Sequence, residues 1–206
     1  MTVTVKERPI IMQAESVRAI LEGRKTQTRR AVGDVSSDVT AWEYHGDRRW
    51  VPLFALNGEL QEKCWTHTCP YGEKGTRLWV REAWTVVGIG KPTSIDRDRV
   101  FYGADGNGHN ARMLRMTPSI FMPRWASRIT LEITGVRVHR LKEISGNDAR
   151  EEGIAYLTND EKSVRSSNER VDQFHKLWDS INAHRGYGWD ANPWVWVIEF
   201  KRLEPK

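Results

Sequence analysis

The segment Gly23-Arg24-Lys25-Thr26-Gln27-Thr28-Arg29-Arg30 holds the densest set of side chains able to do chemistry. Lys25 and Thr28 are three positions apart, so one turn of backbone can bring an amine and a hydroxyl together. A threonine hydroxyl attacks an acyl carbon only after a base has taken its proton. A lysine serves as that base when burial or a neighbouring cation lowers its pKa, and Arg24, Arg29 and Arg30 are such neighbours. The same residues also suit a plainer role, a solvated basic turn that holds a phosphate.

Two further groups stand apart from the octet. Alternation along 76–85 places Glu82 on one apolar face with Leu78, Val80 and Trp84, and Arg81 on the other. A carboxylate there must meet a cation, such as Lys25 or Arg30, or a ligand. Trp84, with Trp79 beside it, offers a face on which a base would stack. The run Cys64-Trp65-Thr66-His67-Thr68-Cys69 has C-x2-H-x-C spacing. A closed zinc site needs four ligands, so another such as His45 would have to come from elsewhere. Two reduced thiols in a loop is the preferred reading, and neither a metal nor a cofactor is expected. His109, His139, His175 and His184 are scattered, with no histidine–acid arrangement that reads as a hydrolase triad.

The elements that must carry these groups follow from periodicity and stop signals. Residues 9–13 read as a short strand, and Val17, Ile20 and Leu21 place a helix over 14–22 with Gly23 as its stop. Residues 33–74 read as an excursion from the core, carrying a hairpin of 39–44 and 49–54 with Trp42 and Trp50. One strand is expected over 76–85, a short one near 100–103 between surface loops at 86–98 and 104–120, and a long or bent one over 128–141. Ser145 caps a short helix that ends at Glu152 and Gly153, with Asp148 at its third position. Val171, Phe174, Leu177, Trp178 and Ile181 form the core stripe of a helix over 168–183. Residues 193–203 alternate as a closing strand. Long strands with few short helices give an α+β, barrel-like expectation.

Composition sets the frame. The chain has 206 residues, 39% hydrophobic and 29% charged, which excludes a disordered polymer and suits one domain. No run reaches the ~18 apolar residues of a membrane span, so no membrane partner is expected. Two cysteines, and an N-terminus without a leader's apolar stretch, point to the cytoplasm. A net charge of +5 together with ten tryptophans points toward nucleic acid.

The octet resembles the signature of the ASCH domains, a branch of the PUA-like fold, which runs G-x-K-x-x-E-x-R. Gly23, Lys25 and Arg30 match, and Thr28 stands where many members have glutamate. It is more fully similar to the G-R-K-T-x-T-x-R motif of the small amidohydrolases that remove the acetyl group from N4-acetylcytidine. Gly23, Arg24, Lys25, Thr26, Thr28 and Arg30 match that form.

The resemblance implies a PUA-like (ASCH) β-barrel with short flanking helices, and a catalytic set of Lys25 as base, Thr28 as nucleophile and Glu152 as acid. Glu151 is the competing choice for the glutamate. It further implies a nucleobase or nucleic-acid contact surface of Arg24, Arg29, Arg30, Arg81, Glu82 and Trp84. The resemblance covers 14–30, 75–84 and 128–203 of a single domain over 1–206, leaving 31–70 and 86–123 as insertions. The layout around Pro70-Tyr71-Gly72 and Leu78 to Glu82 is similar to longer ASCH proteins of bacteriophages and prophages, which implies the cytoplasm of a bacterial host. The implied function is a nucleobase- or nucleic-acid-recognising protein that hydrolyses an N-acyl group on a modified cytidine. The alternatives are a non-catalytic binding module, a metal-independent ribonuclease and a phage accessory protein. Partners are RNA, DNA or a modified nucleoside, and a monomer is expected.

Overall fold

The structure is a computed structural model that describes residues 6–33, 35–46, 48–63, 66–86, 99–106, 115–154 and 167–204. Strict alternation of Trp194, Trp196, Ile198 and Phe200 with Val195 and Val197 makes β11 (Trp194–Leu203) a strand buried on both faces. It pairs antiparallel with β10 (Thr130–Arg140) on one side and β2 (Gln27–Ala31) on the other. β10 pairs with β7 (Arg77–Arg81), and β7 takes β1 (Glu7–Ile11) as a parallel neighbour. The order is β1-β7-β10-β11-β2. β10 bends through a register shift between Ile133 and Gly135, as the glycine in its sequence suggested.

The molecule is thus a mixed α+β structure built mostly of strands, and backbone pairing does not close the sheet into the expected barrel. β1 and β2 remain edges. Their connection is α1 (Ala14–Leu21), whose Val17 and Ile20 sink into the core. A side chain joins what the backbone leaves apart: Arg30 Nη2 donates to the carbonyl of Ile11 at 2.8 Å.

One face of β11 packs with Ile10, Leu78, Val80, Leu131 and Ile133. The other, through Val195 and Val197, packs with Leu141, Phe174 and Trp178 beneath α2 (Gly146–Glu151) and α3 (Ser167–Asn182). Each fully buried Leu, Ile or Val contributes about 1.5–3 kcal/mol.

Three expectations change. The hairpin β3 (Val39–Tyr44) and β4 (Arg49–Leu56) forms as expected, but it is no excursion from the core. Val39 is fully buried, and Trp42 packs edge-on against Trp194 at 6.1 Å, with Trp50 6.0 Å from Trp196. Large aromatic faces on both elements are removed from water by this docking. The strand expected over 76–85 breaks after Arg81, and Trp84–Val86 (β8) pairs instead with Val100–Tyr102 (β9). At the break Glu82 receives both arms of Arg128, at 2.9 and 3.1 Å. Of the loops expected at 86–98 and 104–120, residues 87–98 and 107–114 lie outside the described residues, as do Cys64 and His109, while Ala104 is buried and Thr117 bridges to Trp84. No helix among the described residues is long and apolar enough to cross a membrane.

Candidate functional site

Two glycine-terminated helix ends build the centre of the site. At the end of α1, Gly23 takes φ +73°, its N–H bonds to Ile20 O at 3.1 Å, and Arg24 N–H reaches Ala19 O at 2.8 Å. At the end of α2, Gly153 takes φ +90°, its N–H bonds to Arg150 O at 2.9 Å, and Ile154 N–H reaches Ala149 O at 3.2 Å. Both are Schellman turns, which need a left-handed residue that glycine adopts without strain. The two turns face each other. Lys25 and Glu152 form an antiparallel bridge, and Thr26 N–H donates to Glu151 O at 2.9 Å.

The fit between the turns is close. A Cβ on Gly153 would stand 2.7 Å from Ala19 Cβ and 3.1 Å from Lys25 Cβ. Gly153→Ala is therefore expected to lower stability by about 1–3 kcal/mol from backbone strain alone, with Lys25 displaced besides. Thermal unfolding measures the loss; an unchanged melting temperature would mean that the two turns are not packed this way.

The bridge sets the side chains. Lys25 Nζ donates to Glu152 Oε2 at 2.7 Å and to the Glu152 carbonyl at 2.6 Å. Arg29 Nη1 donates to Glu152 Oε1 at 3.1 Å, and its Nη2 lies 3.5 Å from Asp148 Oδ1. Lys25, Arg29 and Glu152 are 4%, 5% and 5% exposed, so these charges meet out of water. Burial pushes the Lys25 amine below the usual lysine range. The Glu152 carboxylate works against that shift, and the Arg30 and Arg29 charges add to it.

Asp148 closes a capping box with Ser145, its N–H donating to Ser145 Oγ at 3.1 Å while its own carboxylate receives Ser145 N–H at 3.0 Å. Burial alone would raise its carboxyl. Bonds from Ser145 and Gln27 and the charge of Arg29 outweigh it and hold the group well below the carboxylate range.

Around this centre lies a cavity of about 290 Å³. Lys25, Thr28, Arg29, Arg30 and Glu152 all line it. Register with β11 puts Thr28 and Arg30 on one face of β2 and Arg29 on the other, so the cavity runs along the unpaired edge of that strand. Thr28, 1% exposed, accepts a hydrogen bond from Arg30 Nη1 at 2.8 Å. Its own hydroxyl proton is left for a base. The octet is therefore not a solvated turn but the approach to a buried edge strand.

Four of the expected binding residues do not line this cavity. Arg24 points outward, donating to Glu22 at 2.7 Å and to the Gly153 carbonyl at 2.8 Å. Arg81 lies 4.6 Å over the Trp79 ring. Glu82 pairs with Arg128 and with neither Lys25 nor Arg30, and burial raises its pKa despite that partner. Trp84 is buried with Val100, Met122 and Ala126, and stands 5.8 Å from Trp125 edge to face. Both Trp84 and Trp79 are packing residues.

Other lining residues were not singled out from sequence. Tyr71 stands 5.9 Å from the Arg30 guanidinium. Leu177 and Ile181, read as core, are only half-buried and form an apolar wall of the cavity, with Phe174 and Trp178 behind. Ile11, Met12 and Gln13 close the side next to β1, and Arg185 lies in the turn beyond α3.

Cysteine and histidine chemistry lies elsewhere. Burial pushes the Cys69 thiol up to about 11, which makes it a poor ligand or nucleophile. Among the described residues, Glu43, His45 and Glu62, all exposed, bring three potential ligand atoms within 4.8 Å. Histidine–carboxylate pairs form at His45 with Glu62 at 3.3 Å and Glu43 at 3.6 Å, at His139–Glu143 at 3.3 Å and at His175–Asp179 at 3.0 Å, and none of them lines the cavity. No family model, no curated protein and no solved structure matches this chain.

Proposed function

We propose that this chain is a nucleobase-binding amidohydrolase of ASCH, PUA-like type that removes an N-acyl group from a modified cytosine. The observation that carries the reading is the convergence of a buried lysine, threonine and glutamate on one small cavity, from segments 127 positions apart. The resemblance of Gly23 to Arg30 to the N4-acetylcytidine amidohydrolase motif supplies the substrate class. A volume near the lower end of small-molecule clefts suits one base or nucleoside.

In this reading the Thr28 oxygen attacks the acyl carbonyl while its proton passes to the neutral form of Lys25, which burial makes easier to reach by lowering the amine's pKa. The Arg30 guanidinium beside Thr28 steadies the developing oxyanion. The C–N bond breaks, and the exocyclic amine leaves with a proton returned from the Lys25–Glu152 pair. Water then cleaves the threonyl ester, releasing the carboxylic acid and restoring the hydroxyl. Glu152 orients Lys25 and carries its proton between steps. The apolar wall of Leu177 and Ile181 suits the acyl methyl or an aromatic base.

The test is deacetylation of N4-acetylcytidine by the purified chain, with Lys25→Ala, Thr28→Ala and Glu152→Ala alongside. Turnover lost in all three is expected. No turnover by the unaltered chain, or turnover indifferent to all three changes, overturns the assignment.

The pH profile is a second measurement. Only neutral Lys25 accepts the proton, and its folded-state pKa is lowered. The rate is therefore expected to rise with pH and to level off below the ordinary lysine value of about 10.4. Stability moves in the same direction, because the unfolded chain holds that proton more tightly than the folded one. A rate that falls over this range removes Lys25 as base. One observation favours a binding-only module: both hydrogen bonds of the Lys25 amine go to Glu152, an arrangement that a purely structural ion pair would also make. Binding without turnover is its signature.

A further inference from the structure

The charges nearest Lys25 cancel. Lys25 and Arg29 face Glu152 and Asp148, at 2.7, 3.1 and 3.5 Å. Two other guanidinium groups line the same cavity without a carboxylate partner among the described residues. Arg30 donates to Thr28 Oγ1, to the carbonyls of Arg29 and Ile11, and to Met12 Sδ, all neutral acceptors. Arg185, exposed in the turn Ala183–Arg185, makes no hydrogen bond or ion pair among the described residues. Two guanidinium charges without a carboxylate at one small cavity favour an anionic ligand. Both arms of Arg30 are already engaged, so the planar fork of Arg185 is the one that suits oxygens set as in a phosphate.

We infer that Arg185 holds a phosphate, with the charge of Arg30 adding to the attraction, so that the ligand is a phosphorylated nucleotide unit rather than a free nucleoside. The inference rests on the nucleobase reading above for the identity of the rest of the ligand. The phosphate has two sources, a free mononucleotide or a single strand, and a second cavity of about 560 Å³ distinguishes them. Val32, Arg140, Gly186, Tyr187 and Trp194 are among its lining residues. Gly186 follows Arg185 directly, and Val32 stands two residues after Arg30. The two cavities therefore border the same two segments. Half-buried Tyr187 supplies aromatic surface for an adjoining base, while Trp194 is buried with Arg140 at 4.3 Å over its ring.

The experiment is calorimetric titration of the chain, and of Arg185→Gln, with four probes. These are N4-acetylcytidine, its 5′-monophosphate, inorganic phosphate, and a single-stranded trinucleotide with the modified base at its centre. Arg185 is exposed and unbonded, so its replacement leaves folding intact. The monophosphate is expected to bind about tenfold to a hundredfold tighter than the nucleoside, the scale of a charge-assisted hydrogen bond. That gain should shrink with added salt and fall below about threefold in Arg185→Gln. A trinucleotide tighter than the monophosphate assigns the phosphate to a strand; equal affinity assigns it to a free nucleotide. A monophosphate no tighter than the nucleoside overturns the inference and leaves the base reading standing. Inorganic phosphate binding as tightly as the monophosphate keeps the arginine site and overturns the base reading. A gain indifferent to Arg185→Gln removes Arg185 from the site.

Discussion

Glu152→Ala is expected to destabilise the fold by about 3–5 kcal/mol, the scale of breaking a buried ion pair from one side, and to abolish turnover. Removing the carboxylate leaves Lys25 with only the Glu152 backbone carbonyl at 2.6 Å, and Arg29 with Asp148 at 3.5 Å. Neither cation has water to replace what it loses. Part of the cost is relieved because Lys25, already held below its usual pKa, can shed its proton. Glu152→Gln keeps the shape and a hydrogen-bond acceptor and should cost less. At roughly 2–4 °C per kcal/mol for a chain of this size, the alanine variant should melt roughly 6–20 °C lower. A double change, Lys25→Met with Glu152→Leu, should recover the part of the loss that falls on Lys25 and none of the activity, since well-packed apolar residues often equal a buried pair, while Arg29 is left with Asp148. A loss under about 0.5 kcal/mol in Glu152→Ala would match an exposed pair instead and would sink the burial argument.

The second large effect belongs to Thr28. Thr28→Val keeps the branched shape inside β2 and removes only the hydroxyl. Arg30 loses one acceptor at 2.8 Å but keeps the carbonyls of Ile11 and Arg29. Stability should change by no more than about 1.5 kcal/mol, the worth of one hydrogen bond. Turnover should fall by about 10³-fold or more, the scale on which catalytic groups act together. Thr28→Ser, with a hydroxyl retained, should keep measurable activity and form an acyl-enzyme detectable by mass. If Thr28→Val still turns over at a tenth of the original rate, water rather than threonine is the nucleophile. Lys25 and Glu152 would then remain as its base.

Much of the fold could be read from the sequence because its signals are local. Gly23 and Gly153 end their helices where a left-handed residue is needed, and the Ser145–Asp148 box starts α2 as its spacing implies. Alternation in 194–200 gives β11, and the turn at 45–48 gives the β3–β4 hairpin. What escaped is relational. Nothing local says that Glu82 meets Arg128, 46 positions away, or that Trp42 docks on Trp194. The apolar stripe of α3 shows the same limit. Val171, Phe174 and Trp178 face the core, whereas Leu177 and Ile181, one turn further round, overhang an open edge. Helical spacing finds the stripe without telling which part is covered. The convergence of Lys25 and Glu152 was reachable only through the resemblance to the amidohydrolase motif, since spacing alone does not relate a helix end at 22 to one at 152.

The meeting of those two helix ends bears on how the molecule is made. Apart from Tyr71, every residue lining the cavity lies at 11–30 or 152–185. Among the described residues β11 is the strand that pairs with β2, so the edge that carries Thr28 is set only after β11 exists. During synthesis the first thirty residues would leave the ribosome long before the segments they need, and closure over such sequence separations is slow. A chain without β11 would leave Gln27 to Ala31 without the strand that sets the direction of Thr28. The stretch in between reaches the site through that strand: Leu78, Val80, Leu131 and Ile133 pack in one cluster with Trp196 and Ile198 of β11.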